Sequence, residues 1–173
     1  MNSSMKMTLR ALAVTAVALC ATACGIYSFT GTSIQPDVKS VNIEYFEYKA
    51  LKVNPSLANQ MTEALRDKFT KLTKLEQVDM DGDLEIEAAI TGYDVKAMAV
   101  TANETAAQNR LTVSVKVSFT NRKHSEDDFP DKSFSAYADF DSSLSLDSME
   151  AQLCDEIVEK LCDDIFNATV AQW

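Results

Sequence analysis

Apolar and polar residues alternate with a period of two in four stretches of the chain. These stretches are residues 41–46, 84–90, 111–119 and 134–140. Such alternation is typical of strands that turn one face to a core. Gly92 interrupts the second pattern and Tyr93 and Val95 continue it in the opposite phase, which predicts a β-bulge at Gly92. The dipeptide of Asp81 and Gly82 predicts a hairpin turn, and residues 75–78 before it are left open as a further short strand.

Two longer stretches repeat their apolar residues at helical spacing. The first covers residues 57–72 and follows Asn54, a residue type that caps helices. The second covers residues 149–166, and Asp147 with Glu150 three positions later predicts a capping box at its start.

Cys154 and Cys162 lie eight positions apart within the second helical pattern. On a helix, this spacing separates their Cα atoms by about 12 Å. A disulfide needs a separation below about 7 Å. Both cysteines are therefore predicted to be reduced and buried as small apolar side chains.

The predicted element order is β-α-β-β-β-α, which defines an α+β fold. Each long strand has one apolar face and each helix has one apolar stripe. The sequence therefore predicts a two-layer sandwich, with two helices on one face of a mostly antiparallel sheet of about four strands. A right-handed crossover through the first helix allows the strands on either side of it to pair in parallel.

The N-terminal segment has the order of a secretory signal. Lys6 and Arg10 precede the uncharged residues 11–20, and the small residues 21–23 lead to Cys24. The apolar run is about half the ~20 residues that a membrane-spanning helix needs. This pattern resembles a bacterial lipoprotein signal, in which Cys24 is lipidated. Ordinary secretion with an incidental cysteine is the alternative.

Three segments follow from this interpretation. Residues 1–23 are predicted to be a lipoprotein signal peptide, residues 24–40 a lipidated N-terminus and tether, and residues 41–173 a single domain. No Asp follows Cys24, which by resemblance to lipoprotein sorting signals favours the periplasmic face of the outer membrane. A lipid anchor of this kind, palmitate included, leaves the domain folded in water.

Composition excludes several classes of function. The chain has 16 Lys and Arg against 26 Asp and Glu, for a net charge of −10. A phosphate backbone would repel such a chain, so no nucleic-acid partner is expected. One His and four Cys leave little material for metal or nucleophile chemistry.

No catalytic or cofactor motif is found. His124, the only imidazole, lies in a charged loop and is predicted to be solvated. Residues 79–83 resemble the start of a calcium loop, but its sixth and twelfth positions hold Leu84 and Ile90 instead of Gly and Glu. Glu85 and Glu87 share one strand face, as solvated faces commonly do. We expect a protein that is not an enzyme, with no cofactor and no metal.

Residues 96–109 form an unusually long connection between two strands. The segment contains Met98 and Val100 and has no Gly or Pro. We call it the arm and expect it to protrude and to take part in function. Lys96 and Arg110 stand at its two roots, where a hairpin would make them neighbours.

Three parts of the sequence are similar to one known family. They are residues 24–31, residues 103–113 before the most regular strand, and residues 161–167 with Trp173. Together they resemble the lipopolysaccharide-assembly lipoproteins, LptE-like, in the form found in Bacteroidota.

The resemblance implies a two-layer α/β fold seated in the lumen of an LptD-type outer-membrane β-barrel. The protein would plug and help assemble this barrel while lipopolysaccharide passes to the outer leaflet. Under this interpretation, Lys96 and Arg110 are the candidate lipopolysaccharide contacts. The candidate barrel contacts are Met98 and Val100 in the arm and Tyr27 and Phe29 in the tether. The alternative is a periplasmic, lipid-anchored module that binds a peptide or a glycan.

Overall fold

Two helices pack on one face of a six-stranded sheet, which confirms the predicted α+β class. The structure is a computed structural model and describes residues 34–98 and 107–171. In chain order the elements are β1 (Ser40–Ile43), β2 (Glu47–Tyr48), α1 (Leu57–Leu72), β3 (Glu76–Gln77), β4 (Leu84–Ala97), β5 (Gln108–Asn121), a 3-10 turn (Ser125–Asp127), β6 (Phe129–Asp141) and α2 (Leu146–Val170). The sheet has six strands instead of about four, because β2 and β3 have two residues each and are too short to show alternation.

The sheet is parallel on one side and antiparallel on the other. Its order is β3-β1-β4-β5-β6, and β2 also pairs with β4. β1 is parallel to both β3 and β4, so the predicted parallel pair across α1 is confirmed. β4, β5 and β6 form a long antiparallel meander.

The predicted hairpin at Asp81 and Gly82 is wrong. β1 lies between β3 and β4, so the turn joins two strands that do not pair with each other. Asp81 takes a left-handed conformation with φ 55°. A Cβ on Gly82 would come within 2.6 Å of both the Asn42 backbone nitrogen and the Leu84 carbonyl oxygen. The glycine is needed here for a close approach of backbones.

Gly92 carries the predicted bulge. The β4–β5 register shifts between Ile90 and Gly92. Before the shift, β4 buries Leu84, Ile86, Ala88 and Ile90, and after it the strand buries Tyr93. The extra residue keeps the apolar side chains of β4 on the helix-covered face along the whole strand.

The helix starts agree only in part with the predictions. Asn54 Oδ1 accepts hydrogen bonds from the backbone N–H of Ser56 at 3.1 Å and of Leu57 at 3.2 Å, so it caps α1 as predicted. The predicted Asp147 cap of α2 is wrong. Ser145 holds that place and accepts from the Ser148 N–H at 3.3 Å, which leaves Asp147 in the first turn.

One core joins the helices to the sheet. Phe69 of α1 and Phe166 of α2 meet edge to face with ring centroids 5.1 Å apart. Cys154 and Cys162 are both free and buried, as predicted. Leu72, predicted on the apolar stripe of α1, is 48% exposed because it stands at the helix end.

The second face of the sheet is polar. On β5, Thr112, Ser114, Lys116 and Ser118 alternate with the buried apolar residues. Ser114 and Ser135 of neighbouring strands lie with their hydroxyl oxygens 3.2 Å apart. This face bears mainly short hydroxyl side chains, and neither of the two described helices packs on it.

Candidate functional site

The two roots of the arm meet across the β4–β5 hairpin. Lys96 pairs in register with Arg110, and Ala97 pairs with Asn109. The Met98 N–H donates to the Gln108 carbonyl at 2.8 Å, so the paired strands extend into the arm as far as these two residues. Lys96 and Arg110 are therefore neighbours, as expected for two residues at the roots of a hairpin.

The Arg110 guanidinium is bound within the fold. Its Nε and Nη2 donate to the two carboxylate oxygens of Asp139 at 2.7 and 2.8 Å. Its Cζ lies 3.6 Å from the centroid of the Tyr137 ring. The Asp139 bond raises the pKa of Arg110 further and lowers the pKa of Asp139. Such a bidentate, stacked arginine is held in one orientation.

Lys96 differs from Arg110 in its surroundings. Its side chain is exposed, and no ion pair joins it to any residue in the described ranges. Met98, at the start of the arm, is 37% exposed. The other contact candidates, Val100 in the arm and Tyr27 and Phe29 in the tether, lie outside the described residues, as does the lipidation candidate Cys24.

A second exposed apolar feature lies in the connection between β2 and α1. Leu51 is fully exposed and Val53 is 73% exposed. We call residues 49–55 the apolar loop. The hydrophobic pattern of the sequence does not reveal the apolar loop, because its apolar residues show neither strand nor helix periodicity. The signal available was the unbroken absence of acidic residues from 48 to 62 in an acidic chain.

A polar cluster supports the apolar loop from below. The Tyr93 hydroxyl donates to the Glu150 carboxylate, and Asn54 Nδ2 lies 3.6 Å from Cys154 Sγ. Burial and the contact with Glu150 raise the pKa of Tyr93. Burial also raises the pKa of the Cys154 thiol. These are conditions that keep a phenol and a thiol protonated and unreactive.

His124 was predicted to be a solvated loop residue, but it connects two segments distant in sequence. Its Nε2 lies 3.0 and 3.1 Å from the Asp37 carboxylate oxygens, and its Nδ1 lies 3.5 Å from Glu126 Oε1. The hydrogen bond with Asp37 raises the pKa of His124 and lowers that of Asp37. Sequence offers no signal for this pair, because 87 positions separate its members.

Three of the acidic residues considered for chemistry, Asp81, Asp83 and Glu85, have structural partners. Arg122 binds Asp81 Oδ1 at 2.9 Å and Glu85 Oε1 at 2.5 Å. Asp83 Oδ2 accepts from the backbone N–H of Lys39 at 2.8 Å. Within residues 34–98 and 107–171, no three His, Cys, Asp or Glu side chains are grouped so that they hold a metal ion.

The family of the protein follows from a sequence comparison. The family model of the lipopolysaccharide-assembly protein LptE matches residues 38–169, a span that includes all six strands, α1, and α2 except for its last residue. The chain belongs to the LptE family, a non-enzymatic family of outer-membrane-associated lipoproteins that act in lipopolysaccharide assembly. No curated protein matches the sequence.

A solved structure shares the fold at low sequence identity. The solution structure of lipoprotein B from Nitrosomonas europaea matches with a TM-score of 0.50 and 10% identity, over 74% of this chain and 79% of that one. A minor lipoprotein from Acinetobacter baumannii matches with a TM-score of 0.42 and 11% identity, over 73% of this chain and 92% of that one. At such identities, the Nitrosomonas structure bears on the fold alone. No helix in the described ranges is long and apolar enough to cross a membrane.

Proposed function

We propose that this protein seats in the lumen of an LptD-type β-barrel on the periplasmic side of the outer membrane. There it plugs the barrel, helps it to assemble, and supports lipopolysaccharide transport to the outer leaflet. The observation that carries the proposal is the family match, which extends over nearly the whole folded domain.

We assign membrane attachment to Cys24. The positive, apolar and small residues before it are in the order that lipoprotein signals require. In this assignment, residues 1–23 are removed and residues 24–40 tether the domain of residues 41–173. Removal of residues 1–23 takes away two basic residues and no acid, so the mature protein is more acidic than the full chain.

The barrel contacts proposed are the arm, through Met98 and Val100, and the tether, through Tyr27 and Phe29. The exposure of Met98 supports the arm. Lipopolysaccharide is anionic and the chain is strongly acidic, so contact depends on local cations within a Debye length of about 8–10 Å. Lys96 and Arg110 are the proposed pair. Lys96 supplies the unpaired charge, since Arg110 is already bound to Asp139.

Co-purification from detergent-solubilised outer membranes tests the proposal. We expect one large barrel protein at equal stoichiometry with this protein. A soluble peptide or glycan as the sole bound partner would support the alternative, a lipid-anchored binding module. Replacement of Cys24 by Ser tests the anchor separately. The variant should leave the membrane fraction and lose the mass of its acyl chains, and an unchanged mass and fractionation would contradict the anchor.

A further inference from the structure

The apolar loop presents its aliphatic side chains outward while its flanks are buried. Ala50 on one side and Asn54 on the other are buried. Leu51 and Val53 between them face solvent. Exposure of two neighbouring aliphatic side chains to water is unfavourable. A group of exposed apolar side chains marks a contact surface.

Hydrogen bonds hold the apolar loop in this conformation. The Lys49 N–H donates to the Ile90 carbonyl at 2.8 Å, which fixes one end to β4. The Tyr48 hydroxyl donates to the Lys52 carbonyl at 2.7 Å and accepts from the Asn54 N–H at 3.1 Å. The loop is therefore organised before it meets any partner, which lowers the entropic cost of binding.

The charge of the apolar loop is opposite to that of the protein. Lys49 and Lys52 are the only charged residues from 48 to 62, in a chain with a net charge of −10. Lys49 forms an ion pair with Glu47. Lys52 is exposed and has no ion-pair partner among the described residues. The positive end of the α1 dipole lies directly after the loop, at Leu57.

The geometry points to docking of the apolar loop on an anionic lipid bilayer. Leu51 and Val53 enter the boundary between headgroups and acyl chains, and Lys52 meets the headgroup phosphates. Interfacial binding of this type combines buried apolar area with attraction between basic side chains and anionic lipids. The docking concerns the protein outside the barrel, before the domain enters the lumen, and it uses the proposed anchor only to keep the protein at the membrane.

A bilayer fits better than a protein pocket because of the charge distribution. The acidic body is repelled by an anionic surface, so the basic, apolar loop is the favoured point of approach. The ten residues before the bonded segment that begins at residue 34 can extend to about 35 Å, so the anchor alone does not fix the orientation of the domain at the lipid. Docking of the apolar loop would fix one orientation.

A fluorescent probe at position 51 tests this inference. The full chain with Leu51→Cys carries an environment-sensitive probe and is reconstituted into phosphatidylglycerol–phosphatidylcholine vesicles. The control carries the probe at Met80→Cys, an exposed site in the β3–β4 turn. In the processed, acylated protein Cys20 is removed and Cys24 is blocked, and Cys154 and Cys162 are buried, so unsubstituted protein labelled in parallel gives the background. We expect a blue-shifted emission at position 51 that brominated acyl chains quench, and an unshifted emission at position 80.

Two changes separate the parts of the mechanism. With the probe at position 51, Lys52→Ala should lower the ratio of docked to free loop about fivefold, which corresponds to about 1 kcal/mol for one lysine at an anionic surface. With the probe at position 53 (Val53→Cys), Leu51→Ser should reduce quenching, whereas Met80→Ser should not. Circular dichroism checks that each variant is folded.

Three outcomes would overturn the inference. The first is equal, water-like emission at positions 51 and 80 in vesicles. The second is shielding of position 51 in whole outer membranes but not in vesicles, which would assign the loop to a protein partner. The third is docking that is indifferent to phosphatidylglycerol and to Lys52. The vesicle measurements contain no barrel, so co-purification tests the proposed function independently.

Discussion

The two ends of the domain differ in how their side chains are used: at one end polar side chains bind each other, and at the other apolar side chains face solvent. At the paired end, formed by residues 34–40, 81–85 and 121–128, long-range bonds join segments far apart in sequence. Gln35 binds Asp127, Asp37 binds His124, and Lys123 lies 3.4 Å from Asp83. At the open end, formed by residues 49–55, 96–98 and 107–110, Leu51, Val53 and Met98 face solvent.

This contrast separates side chains that stabilise the fold from side chains that can contact a partner. Charges at the paired end are used within the chain, where they hold the N-terminal segment to the β5–β6 connection. The aliphatic groups of the open end are not buried by the described residues, although hydrogen bonds hold their segments in place. Substitutions at the paired end should therefore change folding, and substitutions at the open end should change binding.

The largest effect is expected from Gly82→Ala at the paired end. The added Cβ would meet backbone atoms of Asn42 and Leu84 at 2.6 Å, and backbone does not yield as a side-chain tip does. We expect urea unfolding to show a loss of about 1–3 kcal/mol. Gly92→Ala is the matched control, because its Cβ would meet the Ser114 side chain at 3.2 Å. Equal losses for the two variants would contradict the assigned role of Gly82.

A smaller loss of stability is expected from Tyr93→Phe, a substitution beneath the open end. The change removes the hydroxyl that binds Glu150 and leaves a partly buried carboxylate without this donor. Urea unfolding should show a loss of about 1 kcal/mol. Tyr45→Phe, at an exposed tyrosine, should be neutral. An unchanged stability in Tyr93→Phe would mean that the cluster does not support the open end.

The arm should separate binding from folding. Replacement of both Met98 and Val100 by Asp is expected to change stability by about 0.5 kcal/mol or less, as at surface sites. The same protein should co-purify with less barrel, and cells should become sensitive to large hydrophobic antibiotics. If the domain unfolds, the arm belongs to the core. If barrel association is normal, Tyr27 and Phe29 become the next contacts to test.

The smallest effect is the pH dependence of the stability that the paired end contributes. The pKa of His124 is raised in the folded protein. Its contribution to stability is therefore complete below the unfolded pKa of 6.5 and is lost as the pH rises through the folded pKa. The lowered pKa of Asp37 means that its contribution is present above 3.8 and is lost as pH falls through its folded pKa. The pair is therefore strongest between these limits.

Thermal unfolding at about pH 6 and about pH 9 measures this effect, since only the lower value keeps the imidazole charged. The unsubstituted protein should lose stability at the higher pH, and His124→Gln should lose less. His124 is the only histidine in the chain, which makes the comparison direct. An identical pH response in the variant would show that the Asp37 pair does not contribute to stability.

Local contacts account for most of what the sequence predicted correctly. Alternation placed β4, β5 and β6, the phase change located the bulge at Gly92, and the hairpin made Lys96 and Arg110 neighbours. Each of these depends on residues close in sequence, because strand and helix periods are properties of the local backbone. The cap at Asn54 belongs to the same class, while Ser145 displaced the predicted Asp147 because both neighbour the same helix start.

The tertiary structure decided which side chains remain available. Arg110 and Lys96 look equivalent in sequence, and only the β5–β6 register brings Asp139 to Arg110 and leaves Lys96 free of ion pairs within the described ranges. The insertion of β1 between β3 and β4 turned an apparent hairpin into a close backbone passage at Gly82. The sequence by itself determined the two helices, the longer strands and the class of fold, since local periodicity encodes them. The exposure of Leu51 and the pairing of His124 depended on contacts between distant segments, which chain packing alone defines.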